Sequence, residues 1–287
     1  MIEYPQNKHL SEEYIVAKIS EFWKEDMPNG DHTTECIIPE NTPIKAEIQA
    51  MEELVFAGEK IIPHCFGKEC QITINQEDGN LVSSGDVLGM VTGSARYILS
   101  RERVMLNLIQ RLCGIATISS KYAKIANPFN IMILDTRKTT PGLRLFEKFA
   151  VAIGGSYNHR MNLSDGILIK DNHIIAAGSI TGAIESAQKS KANLSIEIEV
   201  DNIDQIKEAL KIGVDGFLLD NMDADTIRLA VSIIRKFENG DDIFIEASGG
   251  ISFENIQSYL DTGINAISIG ALTHGAISKD IRLEFVL

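Results

Sequence analysis

An α/β fold built on parallel strands is what this sequence predicts, and three observations predict it. Short, β-rich apolar runs recur after residue 131, as IMILDT, GILIK, SIEIEV, GFLLDN, IFIEAS and AISIGA. Helical stretches separate them, among them IDQIKEALKIG and ADTIRLAVSIIRKF; in the first, Ile203, Ile206 and Leu210 fall on one face. Each run also ends in polar residues able to do chemistry. Strands alternating with helices imply right-handed βαβ units and a parallel sheet, either closed as a barrel or open and doubly wound. No GxGxxG follows the first run, which weakens the dinucleotide-binding version. The polar endings favour the barrel, where catalytic groups sit at the carboxyl ends of the strands.

The elements before residue 131 have a different character. Residues 10–23 place Leu10, Tyr14, Ile15, Ile19 and Phe22 at helical spacing, with Ser11 available as the cap. The turn-rich PNGDHTT follows. From about 44 to 91, IKAEIQAM and CQITINQ alternate like half-buried strands, and EDGN and SSGD supply turns, which marks a small β-containing subdomain. The segment EDGNLVSSGDVLGMVTG has the β-turn-β rhythm of a carrier or hammerhead domain. It lacks a central lysine for attachment, so its role is structural. Residues 95–112 form a strongly amphipathic helix, and Gly114 is expected to break it before a second one.

At 287 residues the chain can hold one large α/β domain or two smaller ones. A formal charge of −13 argues against nonspecific binding to nucleic acid or to an anionic membrane surface. A basic cluster inside so acidic a chain therefore suits a small anion. Cys36, Cys65, Cys70 and Cys113 contain no CxxC pair and read as free thiols in a reducing compartment. Glu3, Glu12 and Glu13 occupy the start and no apolar h-region or membrane-length run is present, so the expected location is cytoplasmic.

The strand endings narrow the ligand. The first run leads into Asp135, Thr136, Arg137 and Lys138, and the second into Lys170 and Asp171. The third ends around Glu199, the fourth at Asp220 and Asn221, the fifth at Ser248, Gly249 and Gly250, and the last at Gly270, with Thr273 and His274 beyond. Arg137, Lys138, Arg160 and Lys170 offer charge-assisted donors for several carboxylate or phosphate oxygens. SGG is expected to open a helix whose free N–H groups, with Gly270, hold a phosphate. Three roles are open to Glu199 and Asp220: steadying a developing positive charge, contacting sugar hydroxyls, or sharing Mg²⁺ with a bound pyrophosphate. Taken singly, each residue also has a plain reading as a solvated charge, an ion-pair partner or a core histidine, the last for His159 and His173. His9, His32 and His64 show no metal-ligand spacing. Their joint occurrence across separate strands implies a polycarboxylate and a phosphorylated sugar as ligands.

In order and spacing, DTRKTTPGLR, the GG-x-x-NHR segment, LIKDNH, EVD, LLDN, ASGGI and IGALTH resemble quinolinate phosphoribosyltransferase. GDHTT and RERVMLNLIQRLCGIAT extend the resemblance into the N-terminal half. Ser156 stands where that family usually has a third glycine, and Cys113 where serine is common. The resemblance implies an N-terminal α/β sandwich over residues 1–113, with a tail at 275–287 packing on it, and an incomplete seven-stranded β/α barrel over 114–274. It implies transfer of phosphoribosyl from phosphoribosyl pyrophosphate (PRPP) to quinolinate with decarboxylation, a step of NAD biosynthesis, with Mg²⁺ accompanying PRPP. It further implies a homodimer in which Arg103 completes the neighbouring site. Thr136, Arg137, Lys138, His159, Arg160 and Lys170 match the quinolinate pocket. Lys138, Lys170, Glu199 and Asp220 match the catalytic set, with Glu199 and Asp220 toward ribose and metal. Ser248, Gly249, Gly250, Gly270 and His274 match the 5′-phosphate cradle. Two other enzymes stay open as alternatives: a molybdenum-transport-associated paralogue of the same fold, and a Schiff-base barrel aldolase using Lys170.

Overall fold

The six apolar runs form six parallel strands in a computed structural model that describes residues 2–286. The strands in chain order are β1 (Pro43–Ala50), β2 (Leu54–Val55), β3 (Gln71–Ile74), β4 (Leu81–Val82), β5 (Val87–Ser94), β6 (Met132–Leu134), β7 (Ile167–Ile169), β8 (Ile196–Val200), β9 (Gly216–Asp220), β10 (Phe244–Ser248), β11 (Ala266–Ser268) and β12 (Ile281–Val286). The helices are α1 (Glu12–Asp26), α2 (His32–Ile37), α3 (Ile62–Phe66), α4 (Ala95–Ala126), α5 (Arg144–Ile153), α6 (Asp171–Ala177), α7 (Ile180–Gln188), α8 (Ile203–Ile212), α9 (Ala224–Arg235) and α10 (Ala271–His274).

The chain forms two compact units. The first comprises residues 2–6, 121–139 and 156–274. Its sheet has the order β6-β11-β10-β9-β8-β7, with every neighbouring pair parallel. β6 and β7, consecutive in sequence, thus lie at opposite edges. An isolated parallel bridge between Leu134 and Tyr157 extends the β6 edge. The strands are buried, and side-chain alternation decides the use of each position. In β8, Ile196, Ile198 and Val200 point to one face, and Glu197 and Glu199 to the other. Ile2, Leu134, Phe244 and Ala266 make an apolar cluster, against which Tyr4 and Met132 pack. Gly216 leaves room for this packing, because a Cβ there would meet Ile2 Cδ1 at 2.6 Å.

The second unit comprises residues 7–120, 140–155 and 275–286. Its antiparallel sheet has the order β12-β1-β5-β3, and β2 pairs with β4. Ser11 caps α1 as its sequence position predicts, accepting from Tyr14 N. The turn assigned to PNGDHTT is shorter than expected. Asp31 caps α2 by accepting from Thr34 N, so helix begins at His32.

Gly114 does not break a helix. α4 runs unbroken from Ala95 to Ala126. An ideal Cβ at position 114 would stand 2.2 Å from the Ile277 carbonyl oxygen, so the glycine permits close approach of that segment. The approach is held on both sides, by Lys279 N donating to Gln110 O at 3.0 Å and by Arg111 Nη1 donating to Ala276 O at 2.8 Å. Tertiary contact here overrides a local breaker.

SGG likewise does not open an α-helix. After Ser248 the chain turns, and the next regular piece is a 3₁₀ turn at Ile256–Tyr259. Gly249 and Gly250 have φ of 91° and 63°, and this left-handed backbone diverts the chain from helix.

Candidate active site

Side chains two residues apart on the parallel strands line one cavity of about 770 Å³ at their carboxyl ends. β7 and the residue after it contribute Leu168 and Lys170, β8 Glu199, β9 Leu218 and Asp220, β10 Glu246 and Ser248, and β11 with the turn after it Ser268 and Gly270. Adjacent strands hold these in register, with Ser248 opposite Asp220 and Glu199 opposite Leu218. Of the residues singled out from sequence, Thr136, Arg137, Lys138, His159, Arg160, Lys170, Glu199, Asp220, Ser248, Gly249, Gly250, Gly270 and His274 all line this cavity. Arg103 does not. It is exposed on α4 and lines a 350 Å³ cavity of the second unit with Glu25, Asp26 and Arg111 among others.

The loop after β6 carries two of the cations and is tied down by its own backbone. Asp135 is fully buried, and its carboxylate accepts from Asn158 Nδ2 at 2.8 Å and from His159 N at 2.9 Å. One carboxylate therefore joins the DTRK and NHR segments, which lie over twenty residues apart. Arg160 is buried, with Nη1 donating to the Gly166 carbonyl at 2.9 Å. Burial and the neighbouring Arg137 guanidinium both disfavour its charge. Arg137 Nε has no hydrogen-bond partner among the described residues although it is buried. Two guanidiniums lining one cavity, with Arg160 buried beside Arg137, make a receptor for an anion carrying more than one negative charge.

Lys170 is the N-cap residue of α6 and pairs with Glu199 across the cavity. His173 serves that same cap, its Nδ1 accepting from Lys170 N at 2.9 Å, which gives it a structural role. Asp220 accepts from Asn221 Nδ2 at 2.6 Å.

The glycine corner is shaped by close approach. A Cβ on Gly249 would fall 2.2 Å from Asn221 Oδ1, and one on Gly270 would fall 3.1 Å from both Lys138 Cδ and His274 Nε2. Thr273 Oγ1 donates to the Lys138 carbonyl at 2.7 Å and holds the loop over Gly270. Bare backbone and exposed His274 beside cations suit a phosphate group.

Below this rim lies a cluster that sequence reasoning missed. Glu197 and Glu246 are both fully buried, and His159 Nε2 lies 3.5 Å from Glu197 Oε2 and 3.4 Å from Glu246 Oε2. Tyr4 stacks on the His159 ring at 4.5 Å between centroids and donates from its hydroxyl to Glu197 Oε2 at 3.2 Å. Burial, with the Glu197 and Glu246 charges, raises the Tyr4 phenol and keeps it a donor. Burial and the nearby Glu246 also push Glu197 upward. For His159, burial opposes a charge on the ring while Glu246 and Glu197 favour one, and the carboxylates prevail. The backbone decides where the protons sit. Arg160 N donates to His159 Nδ1 at 2.8 Å, so Nδ1 is an acceptor and the ring proton is on Nε2. The Arg160 N–H aimed at Nδ1 opposes a second ring proton there. The signal for this cluster was present in SIEIEV and IFIEAS, where a glutamate sits on the inward alternation of a buried strand.

An α/β protein with a cationic, multiply charged anion site at the carboxyl ends of a parallel sheet is the class that this fold and site define. Comparison with known proteins narrows it. Models of the quinolinate phosphoribosyl transferase N-terminal and C-terminal domains match residues 31–113 and 115–284. The chain belongs to the quinolinate phosphoribosyl transferase family. It is 42% identical over 273 residues to the probable nicotinate-nucleotide pyrophosphorylase (carboxylating) of Bacillus subtilis, covering 94% of this chain and 92% of that one. It is 36% identical over 266 residues to the nicotinate-nucleotide pyrophosphorylase (carboxylating) of Mycobacterium leprae, covering 91% and 93%. The structure of the nicotinate-nucleotide pyrophosphorylase from Francisella tularensis superposes with a TM-score of 0.91 at 34% identity, covering 99% of this chain and all of that one. The corresponding protein from Ehrlichia chaffeensis gives 0.89 at 38% identity, covering 96% and 99%.

Proposed function

We propose that this chain transfers the phosphoribosyl group of PRPP to quinolinate with loss of the 2-carboxylate. The products are nicotinate mononucleotide, pyrophosphate and CO₂, in the synthesis of NAD. The observation that carries this reading, beside membership of the family, is the pairing in one cavity of two guanidiniums, Arg137 and Arg160, with the Gly249–Gly250–Gly270 corner. A two-carboxylate ring and a sugar phosphate need that combination.

The ring nitrogen of quinolinate attacks the anomeric carbon as the bond to pyrophosphate breaks. Positive charge grows on the ribose in an oxocarbenium-like state, and Glu199 and Asp220 face it. The bond from ring carbon 2 to its carboxylate then breaks, leaving its electron pair on that carbon beside a now cationic nitrogen. A proton completes the product. Arg137, Arg160 and Lys138 orient the dianion, with Thr136 beside them, and Lys170 spans carboxylate and ribose. Their grip must fall short of opposing loss of the departing carboxylate. Ser248, Gly249, Gly250, Gly270 and His274 take the 5′-phosphate. Glu199 and Asp220 supply hard oxygen donors fitted to a Mg²⁺ that retains water and phosphate ligands. Bound there, it would offset charge on the leaving pyrophosphate.

An all-parallel order with the consecutive strands β6 and β7 at its two edges supports an incomplete barrel, for which the Tyr157 segment beside β6 is the candidate seventh strand. Exposed Arg103, outside this cavity, is assigned to the neighbouring site of a homodimer in the cytoplasm. The test is PRPP-dependent loss of quinolinate absorbance with purified protein. Consumption of quinolinate at the expected one-to-one ratio with PRPP supports the reading; turnover of nicotinate instead rejects it.

A further inference from the structure

Residues 2–6 run along the amino ends of the sheet, yet Tyr4 reaches the His159 ring that lines the cavity. These residues lie outside both matched family ranges. Three contacts converge on that ring. Tyr4 covers one face, with 25° between the planes. Glu197 and Glu246 face Nε2 at 3.5 and 3.4 Å, and neither Glu246 oxygen has a hydrogen-bond partner among the described residues. Arg160 N points at Nδ1. Gln6 pins the segment just before that ring, its Oε1 accepting from Asn158 N at 2.8 Å and its Nε2 donating to Asn158 O at 3.2 Å.

His159, Glu197 and Glu246 have the composition of a divalent-metal triad. The hydrogen bonding argues otherwise. A histidine that binds metal through Nε2 needs its proton on Nδ1, and here Nδ1 is the acceptor. With its proton on Nε2, the ring has no lone pair there for a cation. It instead faces two carboxylates, at 3.5 and 3.4 Å, and both nitrogens are turned toward the protein. His159 therefore acts on substrate through its neighbour, by fixing the backbone from which the Arg160 guanidinium extends.

We propose that Tyr4, Glu197 and Glu246 are positioning residues that hold the His159 ring in its Nε2–H tautomer and so set Arg160 for the carboxylate grip. Residues 2–6 are then a working floor of the site. The proposal rests on the quinolinate reading for its kinetic consequence, while its structural core stands apart from it.

The experiment is ¹⁵N NMR of the histidine rings in the full chain, with His159→Gln used for assignment, alongside steady-state kinetics. In the wild type, His159 should carry a single ring proton, on Nε2. Glu246→Leu should disturb that tautomer and raise the quinolinate KM about tenfold, the scale of one misdirected charge-assisted hydrogen bond. The KM for PRPP should stay within about twofold on the same scale. Glu246→Gln, whose amide oxygen still accepts, should restore the tautomer and most of the affinity. Tyr4→Phe keeps the ring stack and removes only the hydroxyl, so it carries the test if Glu246→Leu does not fold; it should raise the quinolinate KM about threefold. A wild-type ring protonated on Nδ1 or on both nitrogens overturns the proposal. So does an unchanged quinolinate KM in a folded Glu246→Leu, or in Tyr4→Phe if the leucine variant is unfolded. Absence of any quinolinate turnover by the wild type strikes the functional reading alone, and leaves the tautomer to be read by NMR.

Discussion

Replacing Arg160 with alanine separates binding from folding. The side chain is buried and makes one neutral-acceptor contact, Nη1 to the Gly166 carbonyl at 2.9 Å. Losing that bond costs about 1 kcal/mol of stability. Burial and the Arg137 charge already work against the guanidinium, which offsets part of the loss. Folding stability should thus change by no more than about 1 kcal/mol, measured by urea unfolding. Substrate binding should suffer more. A charge-assisted contact to a carboxylate contributes about 1.5–3 kcal/mol, which converts to a rise in quinolinate KM of about 10- to 150-fold. The assay varies quinolinate at saturating PRPP and then reverses the roles, and the KM for PRPP should move less than about twofold. A quinolinate KM within twofold of wild type, or an equal rise for both substrates, would refute the assignment of Arg160 to the dianion.

Three other perturbations test separate parts of the account. Gly114→Ala gains about 1 kcal/mol of helix propensity but forces a Cβ to 2.2 Å from the Ile277 carbonyl. Overpacking of that kind costs about 1–3 kcal/mol, so the urea midpoint should fall; a rise would show that the segment yields freely. Gly249→Ala places a side chain at φ 91° and 2.2 Å from Asn221 Oδ1. It should raise the KM for PRPP about tenfold or more while leaving that for quinolinate nearly unchanged, as for loss of one phosphate contact. Among the thiols, Cys36 is exposed and Cys65 and Cys113 are buried, with burial pushing Cys113 up to about 12. In the native protein a disulfide reagent should titrate Cys36 rapidly and spare Cys65 and Cys113 until denaturant is added; fast release of further thiols would contradict the packing.

The strands were legible because burial on both faces writes parallel strands as apolar runs, and their carboxyl ends switch abruptly to polar residues. That switch also exposed most of the polar cavity lining, from Thr136 to His274, while His159 and Arg160 stood out through the NHR segment. The misreadings have a common origin in tertiary contact. Gly114 looks like a breaker until the Ile277 backbone is laid against it. SGG looks like a helix start until Gly249 and Gly250 take left-handed angles. Glu197 and Glu246 went unmarked, since strand periodicity alone does not tell which face is closed. Tyr4 gave no local signal at all, standing more than 150 positions from the ring that it covers.

Release of labelled CO₂ tests the central claim most directly. Quinolinate carrying ¹³C in its 2-carboxylate is mixed with the protein, with PRPP and magnesium present or withheld. The account requires one labelled CO₂ per nicotinate mononucleotide formed, and none without PRPP. Label retained in the product, or released in the absence of PRPP, would contradict it.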